Sequence, residues 1–276
     1  MIGWRSELNA VVGFAERQRN LVRRYWTWEL VWFFYSLVSV VSIGYLASGL
    51  GSLGLGLSHA DLHSAQIYLL VGSLLWGYLS MVFVEVSLAI SWERWEGTIE
   101  YTFMAPVRRA SHLIGICVFA ILYGLLRSAA VLVVAILAFQ LDLREGDLLA
   151  AAAVLAAATV PLVGLGILTS VLPLISPEKG EQMTVAAQGF LLLVSGVYYP
   201  LSVLPVPLQL AGQVSPLTYT LAGIRGALLG GLHLHDLLPT IGLLLLMGAL
   251  LIPLGLQVFA LAERRAKRLG LLKRSG

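Results

Sequence analysis

The stretch SWERWEGTIEYTFMAPVRR, residues 91–109, gathers charge in a chain that otherwise carries little of it. Glu93, Arg94, Glu96 and Glu100 are interleaved with Trp95, Ile99 and Phe103, which recur every four residues. That spacing lays an apolar stripe along one side of a short helix and leaves the charges on the other. Such a helix can dock into a groove on another protein or lie passively at a membrane surface, and periodicity alone favours neither. Pro106 ends the helix, and Arg108-Arg109 mark a return to the membrane.

Few other residues offer chemistry. Glu85 and Arg127 interrupt long apolar runs, and an intramembrane charge is by default a functional candidate. They would lie about 8 Å and about 24 Å in from the same side at the helical rise, so a direct pair is not expected. Arg127 suits a polar contact on a transport path or dimer seam, or equally a structural bond to a backbone carbonyl or to the outer hairpin described below. His59, Asp61 and His63, with His233, His235 and Asp236, match no strong metal-ligand spacing, and read as polar residues at headgroup level. Ser195-Gly196 offers a nucleophile, but no span interior supplies a histidine base, which argues against a membrane-embedded serine protease. Lys179, Lys267 and Lys273 follow Glu178, Ala266 and Leu272. With no Gly-Lys pair, a phosphate-cradling loop cannot form, and any ATP hydrolysis must come from another polypeptide. No catalytic, cofactor-binding or metal residue is assigned.

The elements that position these residues are membrane spans. The chain is 58% hydrophobic and 12% charged, with a mean hydropathy of +0.86. No Asp, Glu, Lys or Arg occurs in 30–60, 62–84, 148–177 or 237–262. A bilayer core needs roughly 20 apolar helical residues, so each run can cross it. Six spans are expected, over Leu30–Ser48, Ala65–Ile90, Ser111–Phe139, Leu148–Ile175, Met183–Val197 and Leu237–Ala262. With the N-terminus inside, every Lys and Arg except Arg144, Arg225 and the intraspan Arg127 falls on the cytoplasmic side, so both termini are cytoplasmic. The pI of 9.1 therefore reflects topology and not a nucleic-acid surface. Cys117 lies in an apolar stretch, and a lone cysteine allows no intrachain disulfide. The first apolar run starts only at Leu30 and is too long for a secretory signal.

Residues 1–29 are expected to form a cytoplasmic interfacial helix. Trp4, Leu8, Val11, Ala15, Val22 and Tyr25 share a face, Ser6 caps it, and Arg17, Arg19, Arg23 and Arg24 meet anionic lipid headgroups. The rest, 30–276, forms the six-span domain, with the docking helix at 93–106 and a Gly-rich outer loop at 49–64. Pro200, Pro205, Pro207 and Pro216 crowd a segment that no straight spanning helix absorbs. The helix after Pro216 is about 21 Å long, short of the bilayer core. Residues 198–230 therefore read as an outer re-entrant helical hairpin between spans 5 and 6, buried in protein.

Two motifs resemble the permease subunits of type-2 ATP-binding-cassette (ABC) exporters. The first is Glu93-Arg94, Gly97-Thr98-Ile99-Glu100 and Ala105-Pro106 after the second span. The second is Gly196, Tyr199-Pro200 and Leu204-Pro205, followed by Pro216-Leu217-Thr218-Tyr219 and Arg225. The resemblance implies an all-α membrane protein in which Glu93, Arg94, Glu96, Gly97, Thr98, Ile99 and Glu100 form a coupling helix for an ABC ATPase subunit. That subunit would bind the ATP, and a second permease, identical or not, would complete the transporter in the plasma or inner membrane. The cargo would be amphiphilic or lipid-like, given spans of Leu, Val, Ala and Gly. The alternative is an ion-coupled secondary transporter, which usually places titratable groups near mid-membrane, where Glu85 does not fall.

Overall fold

A long apolar run satisfies its own backbone in lipid by becoming helix, and these runs do so even where Pro161, Pro239 and Pro253 stand within them. The computed structural model describes residues 4–49, 59–140, 146–176 and 178–271, and every regular element among them is helical. These are α1 (Trp4–Arg24), α2 (Trp26–Gly49), α3 (His59–Glu96), α4 (Ile99–Met104), α5 (Arg109–Phe139) and α6 (Leu148–Thr169). They continue with α7 (Val171–Ile175), α8 (Gly180–Val194), α9 (Val206–Val214), α10 (Pro216–Leu229) and α11 (Leu234–Arg268). Most of the Gly-rich loop, Arg144, Lys273 and Arg274 lie outside the described residues, as do the side chains of His59, Asp61 and His63.

Among the described residues, five stretches are long and apolar enough to cross a membrane: Trp26–Gly49, Ser64–Glu96, Arg109–Phe139, Leu148–Ile175 and Leu234–Arg268. The expected span over Met183–Val197 is α8, a helix of only 15 residues, about 22 Å long. Lys179 and Glu181 bound it at one end, and at the other the chain leaves the helix at Ser195 and turns at Gly196, whose φ is 71°. The second span outruns its expected end, because nothing between Ser91 and Glu96 breaks a helix.

α3 is the central helix and packs on α2, α5, α6, α7, α8 and α10. α6 and α11 form the closest pair, meeting where Gly164, Gly248 and Gly255 bring the two backbones together. The core has two main parts. One holds Leu113, Leu162 and Phe259 together with Ile99 and Phe103 of α4. The other, farther from α4, holds Ile67, Val154, Ile224 and Leu244. The bundle therefore has a basic end, where α1, α4 and the end of α11 gather, and a far end, where α6 and α11 begin. At the far end Asp147 caps α6 by accepting the Ala150 amide at 2.9 Å, which holds its carboxyl below the usual range. His233 Nδ1 lies 3.4 Å from Asp147, and Asp236 accepts the His233 amide at 3.0 Å, so these polar residues cap helices.

Candidate functional site

At the basic end α3 stops in a tight corner. Gly97 takes φ 73°, and the amides of Gly97 and Thr98 return to the carbonyls of Arg94 and Glu93, at 3.0 and 2.9 Å. This is a Schellman ending, and its left-handed position is why a glycine stands there. Glu93, Arg94 and Glu96 thus belong to the last turns of α3, and the short helix α4 begins only at Ile99. The expected single helix over 93–106 is two helices joined at a corner.

Three elements hold that corner. From α1, Arg17 donates to Glu93 at 2.8 Å, to Thr98 Oγ1 at 2.7 Å and to Glu96 at 3.4 Å. From α5, the fully buried His112 bonds the same Glu93 oxygen at 2.8 Å. Arg94 is itself buried and donates to the Leu174 carbonyl at the end of α7, at 3.0 Å, and to the Leu271 carbonyl beyond α11. Guanidinium groups suit the ends of helices, where carbonyls lack partners. Arg109 does the same for α4, donating to the Thr102 and Phe103 carbonyls at 2.7 and 2.6 Å. Its Nε reaches Glu263 of α11 at 3.1 Å, and Lys267 meets the same carboxylate at 2.7 Å.

The apolar stripe divides. Ile99 and Phe103 are buried in the bundle's own core, whereas Trp95 is exposed beside the rings of Tyr25 and Trp92. What α4 turns outward is Glu100 with Tyr101, 79% exposed, and Met104, 81% exposed. Tyr101 and Met104 were not among the residues singled out from sequence, since a lone aromatic and a methionine beside a charge run carry no distinctive spacing.

At the far end the prolines start elements where their missing amide costs nothing. Pro200 and Pro205 precede the Leu201–Val203 turn and α9, and Pro216 opens α10. Tyr219 donates to the Gln213 carbonyl at 2.7 Å and Thr218 to the Gly212 carbonyl at 2.8 Å, closing the α9–α10 turn. Arg225 binds the carbonyls of Gly196 at 2.9 Å, Tyr68 at 3.2 Å and Val197, with its guanidinium 3.5 Å above the Tyr68 ring. A Cβ on Gly72 would land on the Val197 carbonyl and the Arg225 guanidinium, so α3 needs a glycine to accept this contact.

The ABC-2 type transporter family model matches residues 14–229, well over half of the chain. The chain belongs to the ABC-2 type transporter family. It is accordingly the permease of an ABC transporter, a multi-pass membrane protein that partners an ABC ATPase subunit. No curated protein matches it.

Within this ABC-2 permease the two intramembrane charges do not pair directly. Arg127 donates to Ser36 Oγ at 2.7 Å and lies 4.0 Å from Glu29, both on α2. Glu29 also accepts the Tyr123 hydroxyl at 2.7 Å. Sequence reading passed over Glu29 because it stands just before the uncharged run that starts at Leu30. Glu85 faces a cleft between α1, α2, α3 and α5. Arg17 was also missed at the corner: it read as one of four headgroup-facing arginines, and the structure turns it inward.

Proposed function

We propose that this permease is half of an exporter whose α4 is the coupling helix for the ATPase subunit. One observation carries the reading. α4 is anchored by its buried face and by Arg17 and Arg109, and leaves Glu100, Tyr101 and Met104 exposed. A push on that face reaches α3 through the Gly97 corner, α1 through Arg17, and α11 through Arg109 and Glu263. In this reading Glu93, Arg94, Thr98 and Ile99 keep the helix rigid, and Gly97 sets its angle. ATP is bound by the partner subunit.

The same reading has six crossings, supported by where α8 and α11 begin and end. α8 starts against Pro173 near the basic end and finishes where Val194 and Ser195 meet Gly212 and Ser215. α11 then begins beside Asp147 at the far end. Short as it is, α8 serves as the fifth span, and α9–α10 form an outer re-entrant hairpin seated by Pro200, Pro205, Pro216, Tyr219 and Arg225. The basic end, with α1 (residues 1–29) on the inner leaflet and the six-span part (30–276) above it, faces the cytoplasm of a plasma or inner membrane. Phe34, Tyr35, Val185 and Phe190 stay exposed on α2 and α8, available to a second permease and to lipid. The cargo is amphiphilic.

The test pairs capture with transport. The co-expressed ATPase should co-purify with the wild-type permease and be lost from the Tyr101→Ala, Met104→Glu double variant. Inside-out vesicles should accumulate cargo only with ATP. An ATPase retained by the double variant, or uptake driven by a proton gradient alone, would overturn the assignment.

A further inference from the structure

The cleft between α1, α2, α3 and α5 lies on the basic half of the bundle, is open on one side, and has a cavity volume of about 40 Å³, room for a small head group. Its walls include Tyr25, Trp28, Trp92 and Phe119. Two carboxylates reach it, Glu29 and Glu85. Glu29 is occupied, with the Tyr123 hydroxyl at 2.7 Å and Arg127 at 4.0 Å, and the hydrogen bond of Arg127 goes to Ser36. Glu85 makes no hydrogen bond or ion pair among the described residues, although it stands inside a span. Buried Gln18 on α1 contributes an amide to the lining. Arg24 sits over the Tyr25 ring at 5.4 Å but does not line the cleft. The charged groups that line the cleft are thus the two carboxylates, with Arg127 behind Glu29 outside the lining.

An anionic guest would add to that excess, and a neutral one would leave Glu85 with only the field of Arg127 as counter-charge. A cation satisfies it, and aromatic faces attract cations most strongly where water is excluded. The guest also needs a tail. Trp28 lines the cleft and is exposed, as are Trp26 and Trp32 on the same helix, which suits a membrane–water boundary where a tail can enter lipid. We propose that this cleft binds the alkylammonium head of an amphiphile, with Glu85 as counter-ion and Trp28 and Trp92 as flanking faces. As a statement of cargo class this rests on the exporter reading; as a binding site it stands alone.

Dodecylpyridinium tests it, because its cationic ring quenches tryptophan on contact. Titrated into the purified permease in a non-ionic detergent, it should quench saturably. Affinity should be at least about tenfold weaker for a neutral alkylpyridine of equal tail length and for Glu85→Gln, a change that removes no hydrogen bond. Trp28→Phe and Trp92→Phe should each lower the quenched amplitude. Equal affinity in Glu85→Gln, or an amplitude untouched by both tryptophan changes, overturns the proposal. Displacement of the probe by phosphatidylethanolamine, but not by phosphatidylglycerol, would assign the ammonium to a membrane lipid; no displacement by either assigns it to a dissolved amphiphile. Binding needs no ATPase, so the two readings fail separately. Lost binding with intact ATP-driven transport sinks only this site, and intact binding without ATP-driven transport sinks only the exporter.

Discussion

Arg17 touches both sides of the Gly97 corner at once, bonding Glu93 and Glu96 before it and Thr98 after it. Because Glu93 is buried, removing its guanidinium partner leaves a carboxylate with only His112 as neighbour. Arg17→Ala should therefore lower stability by about 1–3 kcal/mol in a melting experiment. It should also cut ATP-driven transport severalfold while leaving membrane insertion unchanged. Arg17→Lys keeps the charge but not the planar fork, and should fall between the two. Wild-type transport by Arg17→Ala would remove α1 from the coupling path. Arg225 makes a parallel case at the far end, where a guanidinium serves three carbonyls that a single ammonium cannot reach together. Arg225→Lys should lower the melting temperature while membrane insertion persists; an unchanged melt would mean that the hairpin is seated by its tyrosines and prolines instead. Neither partnership was legible in the sequence. Helical spacing assigned Arg17 to a polar face, but lipid headgroups and a buried carboxylate 76 residues away draw an arginine equally well. Arg225 stands out as an outer-side arginine able either to guard the outer mouth or to anchor the hairpin, and also through a resemblance, but the carbonyls it holds have no side-chain signature.

Among the elements, α4 matters through the angle at which it leaves α3. That angle depends on a left-handed residue, which proline cannot be and which costs alanine about 1 kcal/mol. Gly97→Pro should abolish ATP-driven transport and leave the protein in the membrane, whereas Gly97→Ala should retain a measurable fraction of the rate. Unimpaired transport by the proline variant would mean that the corner transmits nothing. The sequence marked this segment as helical, but the four-residue repeat of Trp95, Ile99 and Phe103 runs across the Gly97 corner, so only Ile99 and Phe103 share a buried face. It did not show which protein the stripe would face. Burying Ile99 and Phe103 inside the subunit releases the opposite face, with Tyr101 and Met104, for a partner, and periodicity is blind to that exchange. Prolines were more informative. A ring that fixes φ and lacks an amide suits the first turn of a helix, and Pro216 opens α10 where a helix was expected to follow it, although Pro161, Pro239 and Pro253 stand inside α6 and α11. α8 was the hardest element to read: its composition suits a span, but its length is cut short by the charges before it and the Gly196 turn after it.

For the molecule as a whole, the runs of apolar sequence gave the bundle and left its vertical order to be argued from contacts between ends. His233 beside Asp147 and Glu263 beside Arg109 give α11 its direction, and in the proposed six-span order α8 joins opposite ends of the bundle. This arrangement makes a labelling prediction that does not depend on cargo or on the ATPase. Cys117, the lone cysteine, is buried and should react poorly with maleimides, so Cys117→Ser supplies a silent background. Val203 lies exposed at the hairpin and Met104 exposed on α4. In intact cells an impermeant maleimide should label Val203→Cys and spare Met104→Cys, and opening the membrane should expose the second. If both label from outside, the ends of the bundle are not separated by the bilayer. If only Met104→Cys labels, the orientation is inverted, α4 cannot meet a cytoplasmic ATPase, and the coupling reading fails even though the fold stands.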